Sequence, residues 1–150
     1  MSFYPAPTGG GGGIGGSIAL NQVAFGTANA TIGGSNSLTW SNAVLLINGG
    51  QRVKRIATAV DYAVQLTDYI IAITDDTAPR TMTLPTAASA ETGKTYIFVD
   101  EGGGAGVNNI TVAAAMGETI SGVASIVIKI DYGTVAVYCS GSEWFALYFL

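Results

Sequence analysis

The chain has 150 residues, 49% of them hydrophobic and only 11% charged, with a formal net charge of −4. That length bounds it to one or two small domains, and so little charge excludes disorder driven by self-repulsion. The acidic balance argues against a general nucleic-acid binder. With no histidine and a single cysteine, Cys139, the sequence excludes Ser-His-Asp and Cys-His catalysis, histidine-ligated metals, thiolate clusters and an intrachain disulfide.

Ile, Val and Thr fill 42 of the 150 positions and Gly another 21. β-Branched side chains suit a pleated surface and glycine breaks helices, so the expected class is all-β. Residues 1–20 contain no Lys or Arg, so no signal-peptide n-region is expected. No apolar run approaches ~18 residues, so no transmembrane helix is expected either. Synthesis in a cytoplasm follows, with no membrane partner and no cofactor.

Charge placement divides the chain. Residues 1–50 contain no Asp, Glu, Lys or Arg, and all sixteen charges lie from Arg52 onward. Residues 3–8 (FYPAPT) read as an extended peg, stiffened by Pro5 and Pro7, with Phe3 and Tyr4 able to fill a pocket. Residues 9–17 (GGGGGIGGS), which include Ile14, read as a tether. From Ile18 the segment carries regular apolar residues, among them Leu20, Val23, Phe25, Trp40, Leu45 and Ile47. An uncharged, apolar segment of this kind resembles the charge-depleted centre of an interface. Phe3, Tyr4, Ile14, Ile18, Leu20, Val23 and Phe25 are therefore the candidate anchoring residues. Ser37–Trp40 and Ala43–Ile47 are expected to form a hairpin about Ser41-Asn42, with Gly33-Gly34 and Asn48-Gly49-Gly50 as punctuation. Arg52, Lys54 and Arg55 lack interleaved aromatics, so they read as a solvated strand face or a contact to acidic groups rather than a nucleic-acid patch.

Successive strands are expected at Tyr62–Leu66, Tyr69–Thr74, Thr81–Leu84, Thr95–Val99, Asn109–Val112, Ala124–Ile130, Thr134–Cys139 and Trp144–Phe149. Residues 86–93 are expected to form a loop or one helical turn. Short strands at close spacing with Gly, Asn and Ser turns point to a sandwich or barrel. The run WFALYFL after Glu143 has no charged gatekeeper, which is a hazard in an uncovered strand. Trp144, Phe145, Leu147 and Phe149, with Trp40, Leu45 and Ile47, are thus candidate subunit-interface residues.

Motifs for chemistry are weak. Ala88–Thr95 (ASAETGKT) matches a relaxed phosphate-loop pattern, but Lys94-Thr95 leads into a strand rather than a helix, so it reads as a glycine turn. Gly11, Gly13 and Gly16 satisfy GxGxxG only because the tract is nearly all glycine, and no strand precedes them. Asp75-Asp76 and Asp100-Glu101 are carboxylate pairs without calcium-loop spacing, at positions where turns favour Asp. With Glu118 they are the carboxylates a glycosidase would have to use. Tyr132, Tyr138, Trp144 and Trp40 could stack on sugars, although aromatics in all-β chains more often fill cores and interfaces. Cys139, alternating with Val135 and Val137, reads as buried and inert. No catalytic, metal or cofactor site is expected.

The order of segments DYAVQLTDYIIAIT, TMTLPTA, GKTYIFVDEGGG, NNITV, GETISG and DYGTVAVYCSGSEWFAL resembles a β module of bacteriophage tail fibres and other virion proteins. Upstream, VAFGTANATIGGSNSLTW is similar to the glycine-punctuated modules that precede such domains. The resemblance implies a homotrimeric virion protein without catalytic residues. A chain this short has little shaft, which directs the expectation to a capsid decoration (cement) protein or head spike. Residues 1–58 would be an extended Gly-rich anchoring arm with a hairpin module. Residues 59–150 would be a small jelly-roll-like β-sandwich or barrel forming an outward knob. The implied partners are further copies of the chain and the major capsid protein or another virion protein. A tail-fibre or tip protein that binds a host surface glycan is the alternative.

Overall fold

A computed structural model of the chain describes the backbone of Gln22–Gly26, Ile32–Ser41, Val44–Ile47 and residues 50–149, and the side chains of residues 50–147. The chain divides into two units, Met1–Arg52 and Val53–Leu150.

In the first unit β1 (Gln22–Gly26), β2 (Ile32–Ser41) and β3 (Val44–Ile47) form an antiparallel sheet in the order β1-β2-β3. The two strands expected to form a hairpin do pair, and the pairing runs to Ser41 opposite Val44; the expected turn residue Asn42 lies outside the described residues. Gly33 and Gly34 do not punctuate. They lie inside β2, opposite Phe25 and Ala24, which makes this strand ten residues long.

The second unit is built from nine strands and one helical turn. In chain order they are β4 (Arg55–Thr58), β5 (Tyr62–Ala63), β6 (Ile70–Ile73), β7 (Arg80–Thr83), α1 (Ala87–Ala90), β8 (Thr95–Asp100), β9 (Ile110–Ala113), β10 (Ser125–Ile128), β11 (Thr134–Cys139) and β12 (Trp144–Phe149). One sheet has the order β12-β11-β8-β6-β4 and the other β10-β9-β7-β5. From β4 to β9 consecutive strands alternate between the two sheets, and each new strand is laid parallel to the one two before it. The path is a flattened coil. It ends when β10 turns back on β9, while β11 adds antiparallel to β8 and β12 antiparallel to β11. Four of the seven strand pairings are therefore parallel. A jelly roll is antiparallel throughout, so the all-β expectation holds while the jelly-roll connectivity is replaced by a two-sheet coil with mixed sheets. The expected boundary at 58/59 also moves, because β4 pairs along its whole length with β6 and so belongs to this unit.

One hydrophobic core lies between the two sheets. Strict alternation in β8 and β11 sends Tyr96, Phe98, Val135, Val137 and Cys139 inward, against Met82, Ile110, Val112 and Ile128 of the opposite sheet. Strand β10 stops at Ile128, so Ile130 is exposed rather than sharing the face of Ile126 and Ile128. Cys139 is buried and free, its thiol donating to the Ala87 carbonyl at 3.2 Å. Thr86 caps α1 by accepting from the Ser89 amide, and the Glu118 carboxylate accepts from the Ala87 amide at 2.9 and 3.1 Å. These bonds satisfy donors that a helix start leaves free.

Strand β8 ends on an inward aspartate. Asp100 is 1% exposed, and its carboxylate accepts from the amides of Gly103 (2.8 Å), Ala105 (3.1 Å) and Tyr132 (3.0 Å). The loop that folds around it, residues 101–106, is glycine-rich for a steric reason. Gly103 has φ +78°, and a Cβ there would fall 2.4 Å from the Tyr132 ring. We expect Gly103→Ala to lower the unfolding free energy by about 1–3 kcal/mol through left-handed strain and displacement of Tyr132, measured by urea denaturation.

Candidate functional site

The outward face of the five-stranded sheet is the most distinctive surface among the described residues. Strand register aligns its side chains in three rows. Ala57, Ala72, Val99 and Thr134 form one row; Arg55, Ile70, Ile97 and Ala136 the next; Thr95, Tyr138 and Phe145 the third. Ile70, Ile97, Val99, Ala136, Tyr138 and Phe145 are all half-buried. Tyr138 and Phe145 stack with centroids 5.6 Å apart and rings inclined by 26°. The outward face of the other sheet differs in chemistry: Ala63, Thr83, Ala113 and Ser125 align, as do Thr81, Thr111 and Val127. Small hydroxyl-bearing side chains suit contact with water. A cover of isoleucine, valine and stacked aromatics does not.

Arg55 is the only charged residue in those three rows, and it is neutralised. Its guanidinium makes a two-pronged ion pair with Glu101, Nε lying 3.0 Å from Oε1. The Arg55 hydrogen bonds hold the Glu101 carboxyl below its ordinary range. Because β6 lies between β4 and β8, this pair bridges across β6 above Ala72. A small residue there leaves room for the bridge, and Ala72 is fully buried although it faces outward.

The sequence-derived interface residues separate under this geometry. Phe145 lies on the apolar face, and Leu147 is 59% exposed. Leu147 is the extra residue of a bulge, since Ala146 pairs with Val137 and Tyr148 with Ala136. Trp144 is corrected: it is fully buried within its own chain, 5.5 Å from Tyr96 between centroids, with its indole N–H donating to the Pro85 carbonyl at 3.1 Å. It has no surface left to offer a partner, and none to offer a sugar. Val23, Phe25, Trp40, Leu45, Ile47 and Phe149 lie on described strands with side chains outside the described residues. Phe3, Tyr4, Ile14, Ile18 and Leu20 lie outside the described residues altogether.

The groups considered for chemistry are engaged in holding the fold. Lys94, in the phosphate-loop-like segment, donates to the Asp68 carbonyl at 2.7 Å and sits 4.8 Å from the Tyr96 ring centroid. Gly93 makes the turn into β8 with φ +86°. Asp75 accepts from the Thr77 amide, which holds its carboxyl low, and pairs with Arg80 at 3.3 Å. Asp76 accepts from the Gly104 amide.

Lys54 meets Asp68 Oδ1 at 2.8 Å as an ion pair. The other Asp68 oxygen accepts from the Tyr62 hydroxyl at 2.9 Å and the Gln65 amide at 2.8 Å. Burial pushes this carboxyl upward, but Lys54, the Gln65 amide and Tyr62 outweigh it and leave it below its ordinary value. Burial, with Asp68 nearby, pushes the Tyr96 hydroxyl up to about 12. This buried network was not anticipated; the only sequence signal for it was the spacing of Lys54, Tyr62 and Asp68 around short strands.

The described residues enclose no pocket and hold no group of three or more metal-ligating side chains. No helix among them is long and apolar enough to cross a membrane. The fold defines a two-sheet β protein. No protein-family model matches the sequence, and no curated protein is similar to it at a significant level.

Proposed function

We propose that this chain is a structural protein of a bacteriophage virion, a homotrimeric decoration or cement protein or head spike that binds the shell and stabilises it without catalysis. In this reading the N-terminal segment holds the capsid and the two-sheet unit forms the outward knob. The observation that carries it is the charge asymmetry: residues 1–51 carry no charged side chain, and fifteen of the sixteen charges lie in the second unit, with Arg52 just before it. An uncharged apolar segment is suited to burial against other subunits, and a charged unit to solvent. Several copies of the segment held in one trimer would bind a repetitive shell multivalently. The carboxylates a glycosidase would need are occupied by backbone amides and arginines, which favours a structural role.

The test is the copy number of the chain in purified particles, by quantitative mass spectrometry against the major capsid protein. We expect a number of the same order as the capsid protein. Absence from particles would overturn the virion reading.

A tail-fibre or tip protein that binds a host glycan is the second reading. It is favoured by two exposed side chains on loops of the knob, Tyr132 at 71% and Val107 at 85%, Tyr132 being held at φ +60°. A copy number that is a small fraction of the capsid protein's would select it.

A further inference from the structure

We propose that the outward face of the five-stranded sheet, centred on Ile70, Ile97, Val99, Ala136, Tyr138 and Phe145, is the seam at which copies of this chain join. This rests on the homo-oligomeric reading above and assigns a surface to it.

Size supports an interface. Five strands of four to six residues, about 4.8 Å apart and rising about 3.3 Å per residue, give a face of roughly 330 Å². A contiguous apolar patch of about 300–600 Å² on a single chain commonly has a binding role. It is about two-fifths of the ~800 Å² that each partner contributes to a standard stable interface. The face alone therefore falls short of a dimer, and fits an assembly in which each copy turns it toward a common axis and adds contact elsewhere.

Charge selects the occupant. Each copy carries a net −4, so copies repel unless they meet through neutral surface. This face is neutral, because Arg55 is cancelled by Glu101. An anionic lipid surface would call for unpaired cations around the patch, and the lysine and arginine at its margin, Lys54 and Arg55, are both paired. A neutral, apolar sheet face can meet other copies of the same face about a common axis without a charge mismatch, and closed cyclic symmetry would bury it.

The test uses the full chain. Sedimentation should give wild type as a multiple of the 15.3 kDa chain mass, and Ile97→Lys as a single chain that keeps its β circular dichroism. Thr111→Lys, the matching change on the other sheet, should sediment as wild type. A monomeric wild type, or a folded Ile97→Lys that stays associated, would overturn the seam.

Should Ile97→Lys not fold, a milder pair decides. Ala136 and Thr111 are both half-buried in the single chain, and Cys139 is buried. Ala136→Cys should react with a thiol reagent about tenfold or more slowly than Thr111→Cys. Equal rates would overturn the proposal, as would protection in a chain that sediments as a monomer. The particle count is independent: a chain abundant on particles but monomeric in solution removes the seam and leaves the virion reading standing.

Discussion

Trp144→Ala will remove a large share of the stability of the two-sheet unit. The side chain is fully buried, packs on Tyr96 and donates to the Pro85 carbonyl. Truncation leaves a cavity at the junction of β12, β8 and the segment before α1, and leaves that carbonyl without its donor. Large-to-small changes of buried aromatics cost about 3–5 kcal/mol, against a total of about 5–15 kcal/mol for a typical domain. Urea unfolding followed by circular dichroism should show the midpoint falling accordingly. Trp144→Phe keeps a ring against Tyr96 but loses the indole N–H, and should cost about 1–3 kcal/mol. A Trp144→Ala chain with unchanged urea midpoint but reduced assembly would return this residue to the subunit interface.

Asp100→Asn will have the second largest effect, and it will depend on pH. One buried carboxylate collects three backbone amides from two loops. Burial alone would push its carboxyl upward; the amides of Gly103, Ala105 and Tyr132 outweigh that and hold it below the ordinary value. An asparagine presents one oxygen and an NH₂ group to three donors, so at least one amide is left unpaired. The expected loss at neutral pH is about 2–4 kcal/mol.

The sign of the pH dependence follows from linkage. With a folded value below the unfolded value of about 3.9, the unfolded chain binds the proton first as pH falls. The stabilisation is fully present above the unfolded value and is lost as pH drops toward the folded one. Wild type should therefore lose stability steeply below about pH 5, and Asp100→Asn should show a shallower acid limb. Equal acid limbs in the two proteins, measured by urea titration at several pH values, would remove Asp100 as a contributor to it. Asp68, also held low, should sustain part of the acid dependence in the variant.

Much of the local structure was legible in the sequence. Thr134–Cys139 and Trp144–Phe149 were expected as strands with the bounds they have. Residues 87–90 form the single helical turn that was one of two options for 86–93. Where the reading fell short, a specific hydrogen bond or strand pairing overrode the local pattern. The expected strand Tyr62–Leu66 is only two residues long because the Asp68 carboxylate takes the Gln65 amide and bends the chain into a turn. Gly33-Gly34 read as a break, yet pairing with β1 keeps both residues extended.

Trp144 shows the limit most clearly. The run WFALYFL announces hydrophobicity, and alternation says that Trp144 and Phe145 face opposite ways. Neither says which of them faces the core. That was decided by Pro85, 59 residues earlier, whose carbonyl meets the indole N–H. The same limit applies to the apolar sheet face. Ile97 and Val99 were visibly on one side of their strand, but their alignment with Ile70 and Ala136 depends on β8 lying between β6 and β11.

The sequence by itself determined an all-β chain, the position of most strands and turns of the second unit, and the confinement of charge to residues 52 onward. Those properties are local: β-branched residues, glycine turns and two-residue periodicity act within a few positions. Only the tertiary structure decided that strands alternate between two sheets, that four pairings are parallel, and which face of each strand turns inward. A period of two assigns residues to one side or the other and is blind to what lies there, because strand partners are chosen by contacts tens of residues apart.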